Sequence, residues 1–145
     1  MSRSSKTSIA ESQCPCGSPA TYARCCGVHH HGTPAPTPEA VMRSRYTAYA
    51  LGLNDYLLAT WHPSTRPPSL AHDGPAPKWI SLQVIAHALQ DETHGTVEFI
   101  ARCRIGGRAE RMHEVSRFVC EDGRWFYVDG DSGLRDRADF PVRRD

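Results

Sequence analysis

The stretch WISLQVIAHALQDETHGTVEFIARCRIGGRAERMHEVSRFVCEDGRWFYV, residues 79–128, decides the architecture. Apolar and polar side chains alternate through it with a period of two, the signature of strands that bury one face. Ile80, Leu82, Val84 and Ala86 alternate with Ser81, Gln83 and Ile85. After DETHG turns the chain, Val97, Phe99, Ala101, Cys103 and Ile105 alternate with Glu98, Arg102 and Arg104. Gly106-Gly107 suits a two-residue hairpin. Met112, Glu114, Ser116, Phe118 and Cys120 then share one side of a strand, and Glu121-Asp122-Gly123 turns into Trp125-Phe126-Tyr127-Val128. An antiparallel meander of four strands is expected.

Upstream of the meander the period changes. Thr37 is placed to cap a helix, with Pro38 at its first position and Glu39 in its first turn. Met42, Tyr46, Tyr49 and Leu53 recur at helical spacing, and Gly52 fits a stop. Asn54 is read as the cap of a second, short helix carrying Tyr56, Leu57, Leu58 and Trp61, which Pro63 ends. The Pro-rich segment 63–78 is a long connection with one helical turn expected around Ser69–His72. Two helices followed by a curved antiparallel sheet make an α+β cone. The pattern resembles the nuclear-transport-factor-2-like, or cystatin-like, architecture.

The front of the chain has a different chemistry. CPCGSPATYARCC, residues 14–26, places four of the six cysteines within thirteen residues. So short and polar a segment cannot fold on apolar burial, and a tetrahedral Zn²⁺ would supply the missing free energy. Crossed disulfides are the competing reading, but MSRSSKTSIAESQ has no apolar core that would make it a secretory leader. In a reducing compartment clustered thiols favour metal. The expected ligands are Cys14, Cys16, Cys25 and Cys26, with one of His29, His30 and His31 as an alternative to Cys26. A closed four-ligand site is structural or a recognition knob, since it leaves no position for substrate.

CPCGS followed by Tyr22 and Cys25-Cys26 resembles the zinc-binding SEC-C motif at the C-terminus of the SecA translocation ATPase. That resemblance implies a knuckle that docks a protein partner. The usual Gly-Lys-Lys after the serine is here Pro19-Ala20-Thr21, two basic residues fewer.

Several polar residues interrupt the apolar pattern of the cone. Arg43 and Arg45 sit on the first helix, His62 closes the second, and Glu114 and Ser116 lie on an otherwise apolar strand face. A carboxylate there needs a partner. Arg45 or His62 across the helix–sheet interface would serve, beside Tyr46 and Trp125, and the group would line a small pocket. A histidine beside a carboxylate suits acid–base work, and a structural ion pair is the plainer reading. Asp129 is read as a turn residue, and Cys103 and Cys120 as buried fillers.

The 145 residues carry 17 Lys+Arg against 16 Asp+Glu, a net charge of +1. No polyanion partner is implied, and Arg102, Arg104, Arg108 and Arg111 read as solvated edge charges rather than a nucleic-acid surface. No apolar run approaches the ~18 residues of a membrane span. The expected organisation is a disordered N-terminus (1–9), a knuckle (10–32), a Pro-rich linker (33–37), the α+β domain (38–135) and a charged tail (136–145). CPCGS with the Cys pair, MRSRYTAY (42–49), DYLLATWHPSTRP (55–67), HEVSRF (113–118) and GRWFYVDGD (123–131) together resemble the YchJ family of bacterial proteins. That resemblance implies a SEC-C zinc motif joined to a nuclear-transport-factor-2-like domain in the cytoplasm, and no particular reaction. The expected function is a zinc-containing adaptor. The alternative is a small enzyme or ligand-binding protein that uses His62 and Glu114 in the cone.

Overall fold

A computed structural model describes residues 9–70 and 77–132. Within them the order is α1 (Cys26–His30), α2 (Pro38–Leu51), α3 (Asn54–Ala59), β1 (Lys78–Asp91), β2 (His94–Ile105), β3 (Arg108–Glu121) and β4 (Arg124–Ser132). Single 3₁₀ turns at Ile9–Glu11 and Tyr22–Arg24 precede α1. Most of the expected disordered start and all of the charged tail lie outside the described residues. So do two positions of the helical turn expected around Ser69–His72, while Ser69 and Leu70 belong to no regular element.

The sheet is an antiparallel meander, β1-β2-β3-β4. Two of its hairpins need positive φ at both central residues, which Gly106 (58°) and Gly107 (84°), then Asp122 (54°) and Gly123 (78°), adopt. Bulges interrupt β1 at three places and the β3–β4 ladder at Arg117/Phe118. Each bends and twists its strand, and together they curl the sheet around α2. The irregularity between Trp79 and Ser81 also resets the alternation. Trp79, Leu82 and Val84 pack on the core, whereas Ile80, expected with Leu82 and Val84, is 51% exposed.

Thr37 caps α2 through its Oγ1, which accepts from the Ala40 amide at 3.0 Å, and Gly52 closes it in the left-handed region (φ 76°). Val41, Met42 and Tyr46 of α2 meet Val97, Phe99, Ala101, Phe118 and Trp125 in the hollow of the sheet. Burial of α2 does not stop at that face: the five consecutive residues Ser44 to Ala48 are all buried. Asn54 begins α3 rather than capping it; Leu53 holds that position. Trp61 lies past the helix and adds a one-residue parallel bridge to β4, with Tyr127 N–H donating to Thr60 O and His62 N–H to Tyr127 O, both at 2.8 Å. That contact occupies part of an otherwise open sheet edge. No helix among the described residues is long and apolar enough to cross a membrane.

Candidate functional site

A short antiparallel contact shapes the knuckle. Gln13 pairs with Thr21, the Cys14 amide donates to Ala20 O at 3.0 Å and the Tyr22 amide to Ser12 O at 2.8 Å. Gly17, at φ 94°, carries the chain around the tip. The 3₁₀ turn and α1 then bring Cys25 and Cys26 back to the first pair. All four Sγ atoms lie within 4.8 Å of one another, and Cys16 Sγ is 3.7 Å from Cys25 Sγ. Four sulfurs about 2.3 Å from a common ion sit about 3.8 Å apart, so the arrangement fits a tetrahedral metal. All six cysteines are free thiols.

Two hydroxyls donate to the sulfurs. Ser18 Oγ–H donates to Cys25 Sγ at 3.1 Å, and Thr47 Oγ1–H, from the buried side of α2, donates to Cys26 Sγ at 3.3 Å. Hydrogen bonds from Cys14 and Cys26 hold the Cys16 thiol far below its ordinary range, while the same kind of contact and burial push Cys26 up. Burial raises Cys25. A divalent cation bound there would displace the thiol protons. Arg43 clamps the loop from outside, its Nη1 donating to Cys16 O and its Nε to Glu39 Oε2, both at 2.9 Å.

The three histidines serve the loop and not the sulfurs. His30 hydrogen-bonds Tyr22 Oη through Nδ1 (2.6 Å) and Ser44 O through Nε2 (2.8 Å), with its ring edge-on to Tyr56 at 4.6 Å. Burial lowers its pKa. His29 Nδ1 pairs with Thr33 O and His31 Nδ1 with Gly27 O. The expected tethered appendage is corrected accordingly. Cys14, Cys16, Tyr22 and Cys26 belong to the same buried cluster as Val41, Tyr46 and Phe99, and His29 and His30 lie in α1.

On the other side of α2 the cone forms a partly open cavity of about 220 Å³. Met42, Tyr46, Trp79, Phe99, Met112 and Phe118 give it apolar walls, and Arg45, Glu114, Ser116, Trp61 and Tyr127 give it a polar end. Arg45 is 5% exposed. Its Nη1 donates to Leu57 O and Thr60 Oγ1, both at 2.8 Å, and its guanidinium carbon lies 5.0 Å from the Trp61 ring centre and 4.7 Å from that of Tyr127. Burial lowers its pKa, and burial pushes Tyr46 up to about 12. Glu114 Oε2 accepts from Ser116 Oγ at 2.7 Å and from Tyr127 Oη at 3.4 Å.

Arg45, Tyr46, Glu114 and Ser116 line this cavity together, and two other expected members do not join them. His62 Nε2 pairs with Glu121 Oε2 at 2.9 Å and its Nδ1 with Ser64 Oγ at 2.8 Å, because the bridge at Trp61 carries the chain across β4. Trp125 lines grooves beside the 33–38 segment instead. Sequence reasoning missed Thr47, Trp61 and Tyr127. Thr47 was the findable one: with Ser44 it forms a short polar stripe on a helix whose Met42–Tyr46–Tyr49 face is already accounted for.

Residues 37–130 match the family described as the YchJ middle NTF2-like domain, and residues 12–27 match the SEC-C motif. The UPF0225 protein of Bordetella pertussis is 55% identical over 121 residues, covering 81% of this chain and 91% of that protein. The UPF0225 protein of Cupriavidus metallidurans is 51% identical over 145 residues, covering 95% and 100%. Among solved structures, a SEC-C motif containing protein from Rhodopseudomonas palustris superposes with a TM-score of 0.72 at 39% identity, covering 81% of this chain and 96% of that one. Another from Psychrobacter arcticus gives 0.67 at 25% identity, covering 83% and 82%.

Proposed function

The chain belongs to the YchJ family, a SEC-C motif ahead of a nuclear-transport-factor-2-like domain, and from that premise we propose a cytosolic zinc protein that binds partners through its knuckle. The observation that carries this reading is the convergence of four sulfurs within 4.8 Å, which fills every position of a tetrahedral ion. Zinc suits an all-thiolate tetrahedron, and unbridged thiols suit the reducing cytoplasm. With no open coordination position, the metal fixes shape rather than activating water. Gly17, Pro19, Ala23 and Arg24 face solvent on the outside of the knuckle and form the surface that would dock a protein partner.

Protein purified under reducing conditions is expected to carry about one equivalent of zinc in native mass spectrometry. A photo-crosslinking side chain at Arg24, on the exposed knuckle, is expected to capture a discrete partner in cells. Metal-free protein with all thiols open to alkylation would sink the whole reading. Zinc-loaded protein without a crosslink would sink only the docking part.

The cavity favours a second reading, in which the cone holds a small molecule. It is about 220 Å³, largely apolar, and has a buried guanidinium in its wall. Xenon or toluene titrated into labelled protein is expected to shift methyl signals of Met42 and Met112. Unmoved signals would mean the cavity is not a binding site.

A further inference from the structure

One edge of a buried cation is left open at the polar end of the cavity. Arg45 Nη1 donates to Leu57 O and Thr60 Oγ1, while Nε and Nη2 make no hydrogen bond of good geometry to a described residue. The Trp61 indole nitrogen is shut from water without a partner. The two Arg45 nitrogens are not closed off in that way, and the open space that Arg45 lines is this cavity. Nε and Nη2 together form one straight edge of the planar guanidinium, the edge that takes a carboxylate through two parallel hydrogen bonds. The rings of Trp61 and Tyr127, centred 5.0 and 4.7 Å from the guanidinium carbon, hold the group in place.

The charge is also unanswered. Arg45 forms no ion pair among the described residues. Glu114, the carboxylate in the same lining, is engaged by Ser116 Oγ and Tyr127 Oη. Burial outweighs the pull of the nearby tyrosines and of Glu114 and lowers the Arg45 pKa. A buried charge without a counter-ion is costly, and the folded chain already bears that cost, so an incoming anion would offset it. Repulsion from Glu114 limits that anion to a single charge.

Size sets the rest of the ligand. A cavity of roughly 150 Å³ takes benzene, so the 220 Å³ here suits roughly nine non-hydrogen atoms. Met42, Tyr46, Phe99 and Phe118 give the body an apolar, largely aromatic seat, which suits one ring.

Resting on the second reading above, we propose that the cavity binds a small monocarboxylate with a one-ring apolar body, its two carboxylate oxygens accepting from Arg45 Nε–H and Nη2–H. Benzoate and benzamide match in size and differ in charge, and toluene supplies the body alone. Each is titrated into the full-length, zinc-loaded protein at fixed pH and ionic strength. Binding is followed by the Met42 and Met112 methyl signals and by the Arg45 Nε–H signal in ¹H–¹⁵N NMR, assigned from its contacts to the Trp61 and Tyr127 rings.

Benzoate is expected to bind about ten- to one-hundred-fold tighter than benzamide and to move Arg45 Nε–H downfield. Arg45→Lys keeps the charge and removes the fork, and is expected to lose most of that preference while toluene still binds. Should Arg45→Lys fail to fold, the wild-type ratio and the wild-type Nε–H signal still decide. Benzamide binding as tightly as benzoate, or toluene binding alone, would overturn the anion class. Shifted methyls with an unmoved Nε–H would overturn the Arg45 edge. Each of these leaves the cavity reading standing. No binding by any of the three, with no shift at Met42 or Met112, would overturn the cavity reading itself.

Discussion

Replacing Thr47 with Val tests whether helix α2 supports the metal centre. The change keeps the branched shape of a side chain that is 0% exposed and removes the hydroxyl that donates to Cys26 Sγ at 3.3 Å. A hydrogen bond to a charged acceptor contributes about 1.5–3 kcal/mol. Loss of such an outer partner typically weakens metal binding about 10–100-fold, which is about 1.4–2.7 kcal/mol. The opposing effect is smaller. Without metal, burying a methyl in place of a hydroxyl changes stability by about 1 kcal/mol or less, because Cys14 Sγ at 3.8 Å is a poor alternative acceptor. Competition with a chromophoric chelator should therefore show Thr47→Val releasing zinc about 10–100-fold more readily, with Thr47→Ser close to wild type. Zinc affinity within twofold of wild type for Thr47→Val would show that the sulfurs do not depend on this hydroxyl.

Three further outcomes follow from the geometry. Chelation should raise amide exchange in β2 at Val97–Ala101 as well as in the knuckle, because both lie in one buried cluster; unchanged β2 exchange would show two independent units. Gly130→Ala should cost about 1–3 kcal/mol in denaturant unfolding, since the added methyl would collide with the Glu114 carboxylate and meet Val115 O at 3.0 Å; wild-type stability would mean that Glu114 simply moves aside. The Asp91 carboxyl should titrate at about 2, held down chiefly by the His94 hydrogen bond, and return towards 3.8 in His94→Gln. The sign is that of a lowered acid: its contribution is present above pH 3.8 and fades as pH falls towards about 2. An unchanged Asp91 midpoint in His94→Gln would assign the shift to the Thr93 amide instead.

The strands were legible where the ladder is regular. Val97, Phe99, Ala101 and Cys103 face inward as their alternation requires, and the Gly106-Gly107 and Asp122-Gly123 turns fell where expected. Legibility failed at bulges, since one extra residue inverts every later side chain, as Ile80 against Leu82 shows. It also failed where an apparently polar segment is structural. His29, His30 and His31 read from spacing as candidate ligands, yet His30 is pinned by Tyr22, Ser44 and Tyr56, 8, 14 and 26 residues away. The four sulfurs were legible from spacing alone; that they would sit against Thr47 was not, because helical periodicity marks an inner face and cannot say what covers the other side. His62, expected beside Glu114, meets Glu121 instead, after a single-residue bridge that no pattern announces.

Because α2 has the sulfur loop against one flank and the cone against another, the cysteine motif of this protein is not a portable part. Grafted onto a foreign scaffold, it would arrive without the Thr47 hydroxyl, the Arg43 clamp and the His30 ring that Tyr22 bonds. Excised from here, it would take away the sulfurs that Thr47 Oγ1 meets and open to water a side chain now at 0% exposure.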